Sequence, residues 1–181
     1  MELALKLHPD SHCAAVRRIQ VEIGRPGPHI LELRYRVIGK TANLLLPAPA
    51  APVRTDELWR HTCLEAFIRT PDSEGYDEFN LSPSTRWAAY RFTGYRSGMS
   101  DLIGIASPRI EVSSDDQGFE LRAWLELEPW LSAGPLRLGL SAVIEEVDGD
   151  TSYWALAHPP GKPDFHHADC FALEVQAPEQ P

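Results

Sequence analysis

Apolar and polar residues alternate with a period of two in two clear stretches of this 181-residue chain. Leu31, Leu33, Tyr35 and Val37 are separated by Glu32, Arg34 and Arg36, and Phe119, Leu121, Ala123, Leu125 and Leu127 are separated mostly by charged residues. Side chains of a strand point alternately to opposite faces, so each stretch predicts a strand with one face in a core and one in water. Shorter apolar runs bounded by turn residues predict further strands at 2–7, 16–23, 64–69, 76–82, 87–92, 109–112, 136–146, 152–157 and 171–175. A 3.6-residue period is sustained nowhere for three turns, because sixteen prolines and twelve glycines cut the chain into short pieces. The one helical signal is 128–133, with Pro129 suited to a first turn and Gly134 to a stop. About eleven short strands joined by turns predict an all-β, antiparallel β-sandwich of immunoglobulin-like or jelly-roll type.

The length suits one domain, expected over residues 1–176, with a frayed tail at 177–181. The stretch PAPAAP at 47–52 reads as a stiff loop between strands. A formal charge of -9 and the absence of any run of more than two adjacent basic residues argue against a nucleic-acid partner. The first residues, MELALKLHPDSHC, lack the basic start and unbroken apolar run of a secretion signal, and no stretch reaches membrane-span length. Cys13, Cys63 and Cys170 are odd in number and fit no metal spacing, so reduced thiols and a cytoplasmic location are expected.

Residues suited to chemistry gather at 54–87 and 153–167. On a strand through Cys63, Glu65 and Phe67, those three share one face, and on the next strand Tyr76, Glu78, Asn80 and Ser82 share another. Two carboxylates and an amide are thereby expected on one sheet surface. Sugar hydroxyls take paired hydrogen bonds from such groups while sugar C–H faces stack on aromatic rings.

At these residues the chain resembles the DOMON-like superfamily, in the branch similar to family nine carbohydrate-binding modules. The pattern of Trp, five residues, Glu, one residue, Phe is met by Trp59, Glu65 and Phe67, and a following strand carries Glu78, Phe79 and Asn80. Near the C-terminus come Trp154, the loop 158–169, and Phe171, Ala172 and Leu173. A smaller Phe165 stands where the second stacking tryptophan would fall, beside His166 and His167. The segments LWRHTCLEAFI, YDEFNLSPS, WAAYRF and HPPGKPDFHHAD also resemble a group of bacterial DOMON-like proteins of unassigned ligand.

The resemblance implies a non-catalytic module that binds a saccharide or a sugar-containing metabolite and needs no cofactor. Trp59 and Phe165 would form an aromatic slot and Glu65, Glu78 and Asn80 would reach hydroxyls, with His158, Lys162 and His166 contributing from the loop. An anionic ligand would be met by Lys162, held between prolines. Two alternatives use the same residues. Some DOMON relatives hold haem, and a haem or divalent-metal site here would draw on His158, His166, His167 and Met99. A hydrolase or lyase would use Glu65 and Glu78 as paired carboxylates. His166 and His167, if on a strand, would point to opposite faces. Trp87, Tyr90 and Tyr153 are expected to be structural.

Overall fold

The computed structural model describes residues 1–132 and 134–178. Twelve strands form one antiparallel, curled array: β1 (Glu2–Leu7), β2 (Val16–Gly27), β3 (Ile30–Gly39), β4 (Cys63–Arg69), β5 (Tyr76–Leu81), β6 (Trp87–Phe92), β7 (Ser100–Asp101), β8 (Arg109–Asp115), β9 (Gly118–Glu126), β10 (Leu136–Glu145), β11 (Thr151–Ala155) and β12 (Leu173–Val175). The hydrogen-bonded order is β7-β6-β5-β4-β10-β11-β1-β2-β3-β9-β8, with β12 beside β10. The ribbon divides at β1. Residues 2–5 of β1 pair with β2, whereas Lys6 and Leu7 pair with β11, so this strand passes from one layer to the other. The result is the expected all-β sandwich.

The two layers earn their packing differently. In the first, the register sets Leu31 opposite Leu125, Leu33 opposite Ala123, Tyr35 opposite Leu121 and Val37 opposite Phe119, so that the alternating apolar residues form one dry face. Their charged neighbours make the wet face, where Arg34 and Arg36 both bridge Glu22 and Glu120. In the second layer, β4, β5 and β6 are buried on both sides. Leu64, Ala66, Ile68, Phe79 and Leu81 meet the first layer in the shared core. The opposite faces of the same strands contribute Phe67, Tyr76, Tyr90 and Phe92 to a second apolar cluster with Phe165 and Phe171 from the C-terminal segment. Strands covered on both faces lose the wet-dry alternation, which is why this layer reads as runs.

Several boundaries differ from the sequence reading, each for a local reason. The twelfth strand is β7, two edge residues paired with Tyr90 and Arg91, too short to carry a pattern. β2 continues past Ile23 through Gly24 and Pro26 by means of a register shift before Gly27. The closing strand starts at Leu173, not Phe171, because a 3-10 turn over Ala168–Cys170 precedes it and turns the Phe171 ring into the second cluster. The helix is a single turn, Pro129–Ser132; Ala133, at the end of the expected segment, lies outside the described residues, as do 179–181 of the expected tail. No helix among the described residues is long and apolar enough to cross a membrane.

Candidate functional site

The outward face of β4 and β5 is the floor of a cavity of about 660 Å³. The register places Glu65 opposite Asn80 and Phe67 opposite Glu78, so the two carboxyls are diagonal neighbours on adjoining strands. Tyr90 lies across from Glu78 on β6 and extends the same face by one more strand. Glu65, Glu78 and Asn80 are all buried. Asn80 does not itself line the cavity; its Nδ2 donates to Glu78 Oε1 at 2.7 Å and holds that carboxyl in place. Ser141 Oγ, on β10, donates to Glu65 Oε2 at 2.9 Å. Glu65 Oε1 receives no hydrogen bond among the described residues, and both Glu65 and Glu78 line the cavity.

Burial and the proximity of Glu78 push the Glu65 carboxyl well above the ordinary carboxylate range, against a smaller opposing effect of the Ser141 hydroxyl. Glu78 is raised as well, chiefly by burial, while the Asn80 hydrogen bond and Arg96 act the other way. At neutral pH the pair therefore carries less than two full charges and presents donor as well as acceptor oxygens.

Trp59 forms the rim. Glu57 takes left-handed backbone angles (φ 61°) and opens a 3-10 turn over Leu58–Arg60 that leaves the Trp59 side chain 45% exposed above the cavity. The Arg60 guanidinium lies 5.1 Å from the Trp59 ring centroid and is paired with Glu57 at 2.8 Å. Phe165, also in the lining, is only 8% exposed and is a wall more than a platform.

The loop that carries Phe165 and His166 is tied down by Asp164. Oδ1 of Asp164 accepts from Arg96 Nη2 at 2.8 Å, from Arg96 Nε at 3.1 Å and from the His166 amide at 3.2 Å, while Tyr95 donates its hydroxyl to Oδ2 at 2.5 Å. His166 then sits in an aromatic box, its ring centroid 5.1 Å from those of Phe67 and Phe92. Its Nδ1 is 2.7 Å from the Tyr76 hydroxyl and its Nε2 is 3.9 Å from Glu78 Oε2. Burial, reinforced by Arg96, lowers the His166 pKa to about 4. Burial raises that of Tyr76 to about 12. Both groups are thus neutral, and the direction of their hydrogen bond is set by the imidazole tautomer; donation by the phenol places the N–H on Nε2, the nitrogen nearer Glu78.

The structure brings Trp59, Glu65, Glu78, Phe165 and His166 together around one cavity, with Asn80 directly behind it. His158 does not line this cavity but lies behind it, its ring centroid 6.4 Å from that of Phe165, its Nε2 bonded to the Lys6 carbonyl at 2.8 Å and its ring edge-on to His8 at 4.8 Å. Lys162 and His167 line a different cavity of about 390 Å³ on the other side of the loop. There is no strand at 166–167; His166 points inward and His167 Nδ1 accepts from the Asp169 amide at 3.2 Å to begin the 3-10 turn. The four side chains of the metal alternative are consequently dispersed. Met99 and His166 share the main cavity, and among the described residues no three His, Cys, Asp or Glu side chains form a metal-holding group.

Tyr90, Phe92, Arg96 and Tyr153 also line the cavity, beyond the residues expected from sequence. For Tyr90 and Phe92 the signal existed, because the period of two carries the Glu78 face onto β6. Arg96 had none. It occupies a turn held by the Ser97 amide and the Gly94 carbonyl, with left-handed backbone angles of its own (φ 49°).

A proposed carbohydrate-binding protein from Bacteroides uniformis matches over 98% of this chain and 86% of its own, with a TM-score of 0.69 and 14% identity. The likeness lies in the fold. A family nine carbohydrate-binding module from Caldicellulosiruptor kristjanssonii in complex with glucose matches over 98% and 86%, with a TM-score of 0.56 and 10% identity. Its complex with cellotriose matches over 87% and 74%, at 0.51 and 9%. No protein-family model matches the sequence. No curated protein matches it either.

Proposed function

We propose that this chain is a non-catalytic module that binds a saccharide in the cavity between Trp59 and the β4–β5 floor. The observation that carries the reading is the pairing of an exposed indole at the rim with two buried, cavity-facing carboxyls beneath it. A pyranose has one face of C–H groups and a periphery of hydroxyls. The indole suits the first through stacking, and Glu65 and Glu78 suit the second because their unbound oxygens accept, and when protonated donate. Asn80 and Ser141 act through the carboxyls, fixing their orientation so that little conformational freedom is lost on binding. Phe165 would complete the aromatic slot as part of the apolar lining, and His166 would offer a ring nitrogen.

The volume falls within the roughly 300–1,000 Å³ typical of small-molecule sites and is roomy enough for more than one sugar unit. The fold is similar to that of modules solved with glucose and with cellotriose, which makes gluco-configured sugars the first ligands to try. Calorimetric titration of the full chain with glucose, cellobiose and cellotriose tests the proposal. Saturable binding of at least one, at one site per chain, is the expected result; a flat response to these and to a broad panel of other neutral sugars overturns it.

A further inference from the structure

The second cavity adjoins the first. Arg96 and Pro163 line both. The second is also lined by Tyr95, Lys162, Asp164 and His167. Its volume of about 390 Å³ lies at the small end of the range for small-molecule sites.

Three features make this cavity more than a crease. Tyr95 is 58% exposed yet held by its hydroxyl on Asp164 Oδ2, with its ring edge-on to His167 at 6.2 Å. Arg96 gives Nε and Nη2 to Asp164 Oδ1 and also interacts with the Tyr95 hydroxyl, while its Nη1 is within hydrogen-bond geometry of no acceptor among the described residues. Lys162, restrained between Gly161 and Pro163, is exposed and makes no ion pair or hydrogen bond among the described residues. Asp164 offsets Arg96, so the ammonium of Lys162 is left as an uncompensated positive charge in a chain whose formal charge is -9.

We propose that this second cavity is a subsite for a uronic acid unit, so that the ligand is an acidic oligosaccharide with one sugar under Trp59 and the carboxylate-bearing unit over Tyr95. The inference rests on the saccharide reading of the first cavity and extends it across Arg96. Tyr95 supplies a rigid ring for the C–H face of the second pyranose, and Lys162 with Arg96 Nη1 meets its carboxylate. One free ammonium and one free N–H match a singly charged, planar group.

The test is calorimetric titration of the full chain with cellobiose and with the aldobiouronic acid in which one glucose of that disaccharide is replaced by glucuronic acid. The expected result is roughly tenfold tighter binding of the uronate at low salt, a margin that shrinks as ionic strength rises. Lys162→Met should erase the margin while cellobiose affinity and the melting temperature stay as they were, and Tyr95→Ala, made on its own, should narrow it. Equal or weaker binding of the uronate, or a preference that survives both substitutions, overturns the subsite while leaving the saccharide proposal standing. A preference instead for a sulfated disaccharide overturns the carboxylate assignment. Failure of both disaccharides overturns the subsite and counts against the first proposal together.

Discussion

The Tyr76 hydroxyl and His166 Nδ1 are 2.7 Å apart, and this one hydrogen bond orients the imidazole that projects its other nitrogen towards Glu78. Tyr76→Phe removes the hydroxyl partner of the imidazole. We expect a loss of about 1 kcal/mol in folding stability by chemical denaturation, with weaker ligand binding because the His166 tautomer is no longer fixed.

His166 also predicts an acid limb. Its folded pKa of about 4 lies below the ordinary 6.5, so the folded state binds fewer protons than the unfolded one. The stability this contributes is complete above pH 6.5 and is lost as pH falls from there towards 4. His166→Phe should flatten the dependence of the melting temperature on pH across that window.

Glu65 and Glu78 predict the opposite limb. Their pKa values are raised on folding, so the folded state holds protons that the unfolded chain releases above about 4.5. Stability from this source is present at acid pH and declines as pH rises through the raised values. Glu65→Gln keeps the shape and the Ser141 hydrogen bond without the charge. It should raise stability at neutral and alkaline pH by on the order of 1–2 kcal/mol, or roughly 2–8 °C in melting temperature, with little gain at pH 4. If a carboxyl proton is donated to the ligand, the same variant should bind sugar with a flatter pH profile.

Away from the site, Asp77 is fully buried and its carboxylate is held by Arg91, Nε to Oδ1 at 2.8 Å and Nη2 to Oδ2 at 2.9 Å. Arg91→Ala leaves a buried, unpaired acid and should cost about 3–5 kcal/mol of folding stability, measured by denaturant titration. The double variant with Asp77→Asn should recover part of that loss.

Trp59→Ala should separate binding from folding. The ring is nearly half exposed and belongs to neither apolar cluster, so the melting temperature should move by no more than a degree or two while sugar affinity falls at least tenfold.

The parts of this account that were legible in the sequence depended on periodicity. Leu31 to Val37 and Phe119 to Leu127 declared a half-wet layer because only one of their faces is covered. The same period put Glu65 beside Phe67 and Glu78 beside Asn80, and the observed register confirms those shared faces. What periodicity could not supply was the path of irregular chain. Lys162, His158 and His166 fall within nine residues of sequence, yet the turn at Asp164 sends them to a second cavity, to the Lys6 carbonyl and into the main cavity. Asp164 exerts this control through Arg96 and Tyr95, nearly seventy residues away, a contact that no local pattern encodes. Phe171 misled in the same manner, since a Phe-small-Leu run looks like strand whether or not a 3-10 turn precedes it.

The central claim is the location of the sugar. Amide and indole chemical shifts of isotope-labelled protein, followed during titration with cellobiose or cellotriose, test it most directly. The account predicts saturable shifts at the Trp59 indole N–H and at the amides of Glu65, Glu78 and the 163–166 loop, with the charged face of β2, β3 and β9 unmoved. Shifts confined to that charged face, or no shifts at any site at millimolar sugar, would contradict it.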